Sequence, residues 1–299
     1  MPRASPSLRV EEALRFAPAG LQASGLAFDA VSGRFLFGAH TDRKVVVVAE
    51  RTARAIDLVR ADSAGFFDVL ALEIDARRGD LWVASADLGG DSHPTPRAAL
   101  HKLQLVSGRP LVTIPVPAET GPVYFSDLAV SSGGLVIALD QEGRRLFRLS
   151  PGATTLETTT ELPLENPVSV TLSSDGGRAY VAHERGVARV NLATGAAQAV
   201  DAAPGLSASG IERVRWHDGS LVAVQRQPDG TRAIVRFRLD RSGGKLLAVD
   251  PIEPVPDGRV APAATLWNDD FFYVAEATRA ERSRGGTTLE TIVRRVRLR

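Results

Sequence analysis

The chain has 299 residues, and 36 lysines and arginines against 35 aspartates and glutamates leave a formal net charge of +1, so no global field draws it to nucleic acid or an anionic membrane. It has no cysteine, which removes disulfides, thiol nucleophiles and Cys-ligated zinc or iron–sulfur centres. No stretch approaches the roughly 20 apolar residues of a membrane span, and residues 1–14 lack the apolar segment of a secretory signal; a soluble chain is expected, its compartment left open.

Helical periodicity is poor throughout. Apolar residues alternate or run in blocks of three to six between Gly, Pro, Asp and Ser clusters, which predicts strands. After an isolated strand at 8–15, one unit recurs: a small-residue turn, an apolar strand, a Gly-bearing turn, then a strand of large apolar residues. The first unit places strands at 25–29, 35–37, 44–49 and 55–59. The second places them at 71–75, 81–83, 100–106 and 110–116, with a Gly- and Pro-rich insertion at 86–97. The third gives 127–130, 135–137, 145–149 and 154–162, and the fourth 169–172, 179–181, 187–192 and 197–200. The fifth gives 213–216, 221–223, 233–239 and 245–249. The sixth has 264–267, 272–274 and 291–298, and then the chain ends.

Successive second strands lie roughly 42 to 54 residues apart, the period of four-stranded propeller blades. A β-sandwich gives no reason to repeat one unit at near-constant spacing. The reading is therefore all-β: a single six-bladed β-propeller over 1–299 with four-stranded blades at about 22–60, 66–117, 122–163, 166–201, 208–250 and 260–299. The sixth blade lacks a fourth strand, and residues 1–16 supply it, closing the ring from the other terminus.

Three stretches resemble the senescence marker protein, gluconolactonase and luciferin-regenerating enzyme family of six-bladed propellers. They are Gly25-Leu26-Ala27-Phe28-Asp29 with Gly33-Arg34, Asp68 to Asp75 with Gly79-Asp80-Leu81-Trp82-Val83-Ala84, and Leu221 to Gln225 followed by Ile234 to Asp240. These motifs build blades rather than chemistry, so fold transfers better than function. The resemblance implies a divalent metal, usually calcium, held in the central channel by Glu, Asn and Asp from the starts of innermost strands. Aligned on the second strands, those positions here read Ser24, Leu70, Ser126, Val168, Glu212 and Ala263, with a single carboxylate. Ser126-Asp127 stands where the family has Asn-Asp, and Val168-Ser169 where it has Asn-Gly. A hard cation needs six to eight oxygens, so no metal or other cofactor is expected. A slip of one or two residues toward Gln22, Asp68, Tyr124 and Asn166 would restore oxygen ligands and leaves calcium or another divalent ion open.

Glu212 stands out. A lone carboxylate beside Ile211 and Val214 at the inner end of a channel is expected to have a raised pKa and to serve as general acid or base; the plainer reading pairs it with Arg213 or Arg215. The ends of the second strands reach the same mouth and bring His40, Ser85, Asp140, His183, Gln225 and Glu276. Histidine titrates near neutrality, so His40 and His183 are the other catalytic candidates. Gln22, Ser24, Asp68, Tyr124, Ser126, Asp127, Asp140, Gln225 and Glu276 are candidate ligand-binding groups. His93, His101 and His217 have no supporting pattern, and Trp82, Trp216 and Trp267 fit packing between blades. Arg279, Arg282 and Arg284 read as a loop, and the alternating basic run 294–299 as a solvated strand face. P-loop, dinucleotide, zincin and EF-hand signatures are absent.

The resemblance implies a gluconolactonase-like hydrolase of a small lactone or ester at the channel mouth. The substituted ring points to the alternative, a non-catalytic ligand-binding or protein-interaction propeller. The expected partner is a small molecule, with no nucleic acid or membrane, and the expected state is a monomer.

Overall fold

The computed structural model describes residues 10–17, 21–87, 97–255, 263–280 and 287–299. Strand β1 (Val10–Phe16) stands first. Blade one is β2 (Ala23–Asp29), β3 (Arg34–Ala39), β4 (Lys44–Ala49) and β5 (Ala55–Val59), and blade two is β6 (Asp68–Asp75), β7 (Asp80–Asp87), β8 (Arg97–Gln104) and β9 (Pro110–Pro115). Blade three is β10 (Phe125–Val130), β11 (Val136–Asp140), β12 (Arg145–Leu149) and β13 (Glu157–Glu161). Blade four is β14 (Ser169–Leu172), β15 (Arg178–His183), β16 (Gly186–Asn191) and β17 (Ala197–Ala199), followed by β18 (Asp201–Ala202). Blade five is β19 (Ile211–His217), β20 (Ser220–Arg226), β21 (Arg232–Leu239) and β22 (Lys245–Val255). Blade six is β23 (Ala264–Trp267), β24 (Asp270–Ala280) and β25 (Thr287–Arg297), with β1 as its outermost strand. The molecule is a six-bladed β-propeller.

The terminal strand closes the ring as the sequence predicts. β1 runs antiparallel to β25 from Val10 opposite Val296 to Phe16 opposite Thr291. Three features exceed the sequence reading. β22 continues six residues past the predicted end at 249, through Pro251 and Pro254, which an outer strand tolerates because one backbone edge need not donate. β24 and β25 form a longer hairpin than expected, and it takes in Arg279, which the sequence places in a loop. β18 leaves blade four and pairs in parallel with β22, so blade five has five strands.

Each interface between neighbouring blades holds one apolar cluster. Phe35, Phe37 and Phe272 join blades one and six, Leu36, Val47 and Leu81 join one and two, and Leu100, Phe125 and Phe147 join two and three. Leu146, Val170 and Val181 join three and four, Tyr180, Val214 and Phe237 join four and five, and Val224, Phe271 and Tyr273 join five and six. Inner strands thus bury both faces, which is why Phe35-Leu36-Phe37 and Val45-Val46-Val47-Val48 are unbroken apolar runs instead of alternating ones. Each large side chain so buried contributes about 1.5–3 kcal/mol. The tryptophans belong to these interfaces: Trp82 sits in the cluster of blades two and three, Trp216 stacks on Tyr180 at 5.1 Å, and Trp267 packs against the cluster of blades one and six.

Candidate functional site

Four innermost strands carry a β-bulge near the same end. Regular pairing breaks between Ala23 and Gly25, between Val69 and Ala71, between Phe125 and Asp127, and between Ile211 and Arg213. The residue left out of the ladder is Ser24, Leu70, Ser126 and Glu212 in turn. A bulge inserts one unpaired residue and re-aims its side chain, and these positions all border the channel mouth, Leu70 while also packing in the cluster of blades two and three. Val168 holds the corresponding place just before β14. Together they line a pocket of about 660 Å³ with Gln22, His40, Tyr124, Gln141, Asn166, His183, Glu184, Ile211, Arg213 and Arg226. The predicted Glu212, His40, His183, Gln22, Ser24, Tyr124 and Ser126 therefore meet in one place.

The other candidates do not line it. Asp127 is buried below the pocket, where Ser169 Oγ donates to it at 2.5 Å and Arg215 Nη1 at 2.9 Å. Asp140 is fully buried; it accepts the Tyr124 amide at 3.0 Å and Arg145 Nε at 2.9 Å, and so holds a loop in place. Gln225 donates to the Ser209 carbonyl at 2.8 Å. Asp68 takes Arg43 Nε at 3.3 Å on the exposed rim. Glu276 pairs through its backbone with Thr291, and its side chain lies outside the described residues, as do His93, Arg282 and Arg284. His101 is buried against Ser85 Oγ at 2.8 Å, and desolvation lowers its pKa to about 4. Both side chains of that Ser–His pair are closed to solvent. His217 bonds Asp269 Oδ1 at 2.8 Å, and the basic terminal run is spent in ion pairs with Glu253, Glu11, Asp270 and Asp218.

Electrostatics at the pocket floor differ from expectation. Burial pushes the Glu212 pKa up, but Arg232 Nε at 2.6 Å and Arg226 Nε at 2.9 Å more than offset this and hold the carboxyl below its ordinary value. The expected rise is thus corrected: its partners are arginines 14 and 20 residues later in the same blade, not Arg213 or Arg215. Arg213 instead reaches across the channel, donating from Nη1 to the Ser126 carbonyl at 2.8 Å and from Nη2 to the Ser24 carbonyl at 3.2 Å, with Asp127 Oδ1 3.4 Å away. One side chain of blade five so ties blades one and three. Beneath it Arg215 shares Asp127, whose carboxyl burial raises and the two guanidiniums lower, with a net fall. Glu73, against Arg215 and Asp127, is pushed up to about 7 by burial. His183 is moved down by burial and then by Arg185, which favours the neutral imidazole. The sequence offers Arg213 only as a partner for Glu212; ring geometry alone shows that it crosses the axis.

The calcium that the resemblance implies does not fit these donors. Glu212 is clasped by two arginines, the Ser24 and Ser126 carbonyls accept from Arg213, and Asn166 Oδ1 accepts from Gln141 at 2.6 Å. Among the described residues no group of three or more His, Asp or Glu converges on one point. A hard cation needs such convergence.

No family model matches the sequence, and no curated protein does. Solved structures match over nearly the whole chain. The major allergen Mala s 1 of Malassezia sympodialis superposes with a TM-score of 0.68 at 11% identity, covering 98% of this chain and 96% of that one. Regucalcin of Agrobacterium tumefaciens, a calcium-binding protein, gives 0.59 at 15%, covering 93% and 92%. A luciferin-regenerating enzyme gives 0.60 at 11%, covering 95% of each. At these identities the likeness shows the fold, and the last two agree at that level with the resemblance read from the sequence.

Proposed function

We propose that this propeller binds a small organic molecule in the mouth pocket without a metal. The observation carrying this reading is Arg213, a tethered cation whose guanidinium takes the carbonyl oxygens of blades one and three. Three apolar side chains, Leu70, Val168 and Ile211, offer walls, and His40, His183, Tyr124 and Gln22 offer a few converging polar groups, the usual make-up of a ligand pocket. The test is a fragment screen by ligand-observed NMR on the wild type and on Val168→Trp, which puts a bulky side chain against the apolar wall of the pocket. Hits lost in the variant support the reading; hits indifferent to it, or none at all, sink it. Metal content and a melt with and without EDTA accompany the screen. One tightly bound divalent ion per chain would overturn the metal-free part.

A second reading, hydrolysis of a small lactone or ester, is favoured by the place of His183 on the pocket lining, where burial favours its neutral imidazole. Its Nδ1 accepts a weak 3.4 Å contact from the Arg185 amide, and general-base catalysis needs an unprotonated nitrogen at working pH. Glu212, held ionised between two arginines, is a poor proton donor. δ-Valerolactone and p-nitrophenyl acetate serve as probes. Turnover that His183→Ala abolishes and Glu212→Gln spares supports this version.

A further inference from the structure

His101 on β8 is 2% exposed and lies between two hydroxyls, Nε2 2.8 Å from Ser85 Oγ on β7 and Nδ1 3.2 Å from Thr113 Oγ1 on β9, with the Phe66 ring edge-on at 4.8 Å. A neutral imidazole donates from one nitrogen and accepts at the other, and hydroxyls meet both needs. An imidazolium in the same place is a buried charge, costly unless a carboxylate answers it. The charged groups of the elements packed around it are engaged elsewhere or exposed. Lys102, on the other face of β8, pairs with Asp80 of β7, and Arg97 pairs with Asp87 at the mouth. β9 has no ionisable residue. On β6, Asp68 pairs with Arg43 and Asp75 with Arg78, while Glu73 faces Arg215 on the axis. In blade one Lys44 pairs with Asp57, and Arg60, Asp62 and Arg109 are exposed.

The strands around His101 are held by ladders, β7 to β8 and β8 to β9. Residues 64–67 belong to no strand. Phe66 lies buried against the imidazole, and the Phe67 amide donates at 3.2 Å to Ser85 Oγ, the hydroxyl that meets the ring. From there the chain runs into Val69, whose amide donates to the His40 carbonyl at 3.1 Å, and Leu70, a wall of the mouth pocket. We propose that His101 is an acid-sensitive latch: its uncharged ring and Ser85 fasten residues 64–67, and a proton on the ring opens that segment and loosens the Leu70 wall while the blade ladders hold. The latch does not depend on what the pocket binds.

Opening returns the ring to water, where its pKa is about 6.5. Burial holds the closed ring at about 4, so the closed form is at its most stable above the first value, and the open form gains about tenfold per pH unit between the two. Hydrogen exchange of the full chain, read by mass spectrometry and corrected for the intrinsic rate at each pH, is the test. Protection of the peptide spanning 64–70 falls by about tenfold per pH unit between about pH 6 and 4.5, while peptides from β15 and β20 keep theirs. In His101→Gln that fall disappears. Ser85→Ala, which keeps the ring and removes the acceptor of the Phe67 amide, exchanges across 64–70 at pH 7 as the wild type does in acid, and it tests the latch even where His101→Gln does not fold. Protection that is flat with pH in the wild type, a fall that persists in His101→Gln, loss in all blades together, or unchanged protection in Ser85→Ala each overturns the proposal.

Discussion

The ring is tied at its rim and again on its axis, by opposite means. At the rim, β1 joins β25 through an antiparallel ladder, flanked by ion pairs on the surface such as Arg295–Glu11 and Arg15–Glu12. On the axis, Arg213 and Arg215 of blade five cross to blades one and three with no ladder at all, through carbonyls and one buried carboxylate. Ladder and apolar packing supply cohesion at the rim, and its ion pairs are screened additions. The axial charges have left water, so their value depends on every partner being present. Removing a rim charge and removing an axial charge are therefore different experiments.

Deleting residues 1–16 should have the largest effect. It strips the outer strand from blade six and exposes the partners of Leu14 and Phe16 in the cluster of blades one and six. Loss of a cooperative melt is expected, and an unchanged transition would show that the axial tie suffices. Next comes Asp127→Ala. It leaves two guanidiniums buried with their shared carboxylate gone, and a loss of about 3–5 kcal/mol in urea unfolding is expected. A loss below about 1 kcal/mol, on the scale of a surface pair, would mean that water reaches the axis.

Glu73 sharpens the comparison through pH. Its folded pKa, pushed up to about 7, lies above the ordinary carboxylate value. Between about pH 4.5 and 7 the unfolded chain has released this proton and the folded chain keeps it, so the contribution of Glu73 to stability falls as pH rises through that window and is level above it. The loss is a few kcal/mol at most, since each tenfold difference in proton affinity between the folded and unfolded chains is worth about 1.4 kcal/mol. Asp127 runs the other way, its contribution present above the unfolded carboxylate pKa and lost as pH falls through the folded value. Unfolding curves of Glu73→Gln and wild type across the same window and about one pH unit beyond it should diverge with that sign; parallel curves would refute the raised pKa of Glu73. Smallest is Glu11→Ala at the rim, about 0–1 kcal/mol and vanishing in high salt. A larger loss would show that the rim pair is not a screened addition.

The blades are legible in the sequence because each repeats the same order of turn, strand, Gly turn and strand, and because strands buried on both faces leave apolar runs too short for helices. The strands at 44–49, 55–59 and 145–149 have the bounds that the sequence predicts. Pro251 and Pro254 hide the end of β22, since proline argues against a strand unless its edge is free. The ring positions are legible as well, because a repeat aligned on its second strands keeps the bulge at a constant offset. What surrounds Glu212 is not. Arg226 and Arg232 come from a hairpin whose turn brings them back beside β19, and Arg213, next in sequence to Glu212, faces another way because adjacent strand residues diverge. Asp127 and Asp140 carry the chemistry of a site but are committed to neighbouring blades and loops, which only the register reveals.

The bulges also bear on how such a protein can be altered. A side chain outside the ladder forms no cross-strand pair, so register does not set its identity; what it touches does, as Arg226 and Arg232 do for Glu212. Ser24, Leu70, Ser126 and Glu212 sit in four such slots, each differing in size or polarity from its neighbour around the channel. For a protein engineer they are the pins of a lock whose barrel is cast separately, and a pin is changed together with the groups it holds: Glu212 with Arg226 and Arg232, Leu70 with the packing between blades two and three.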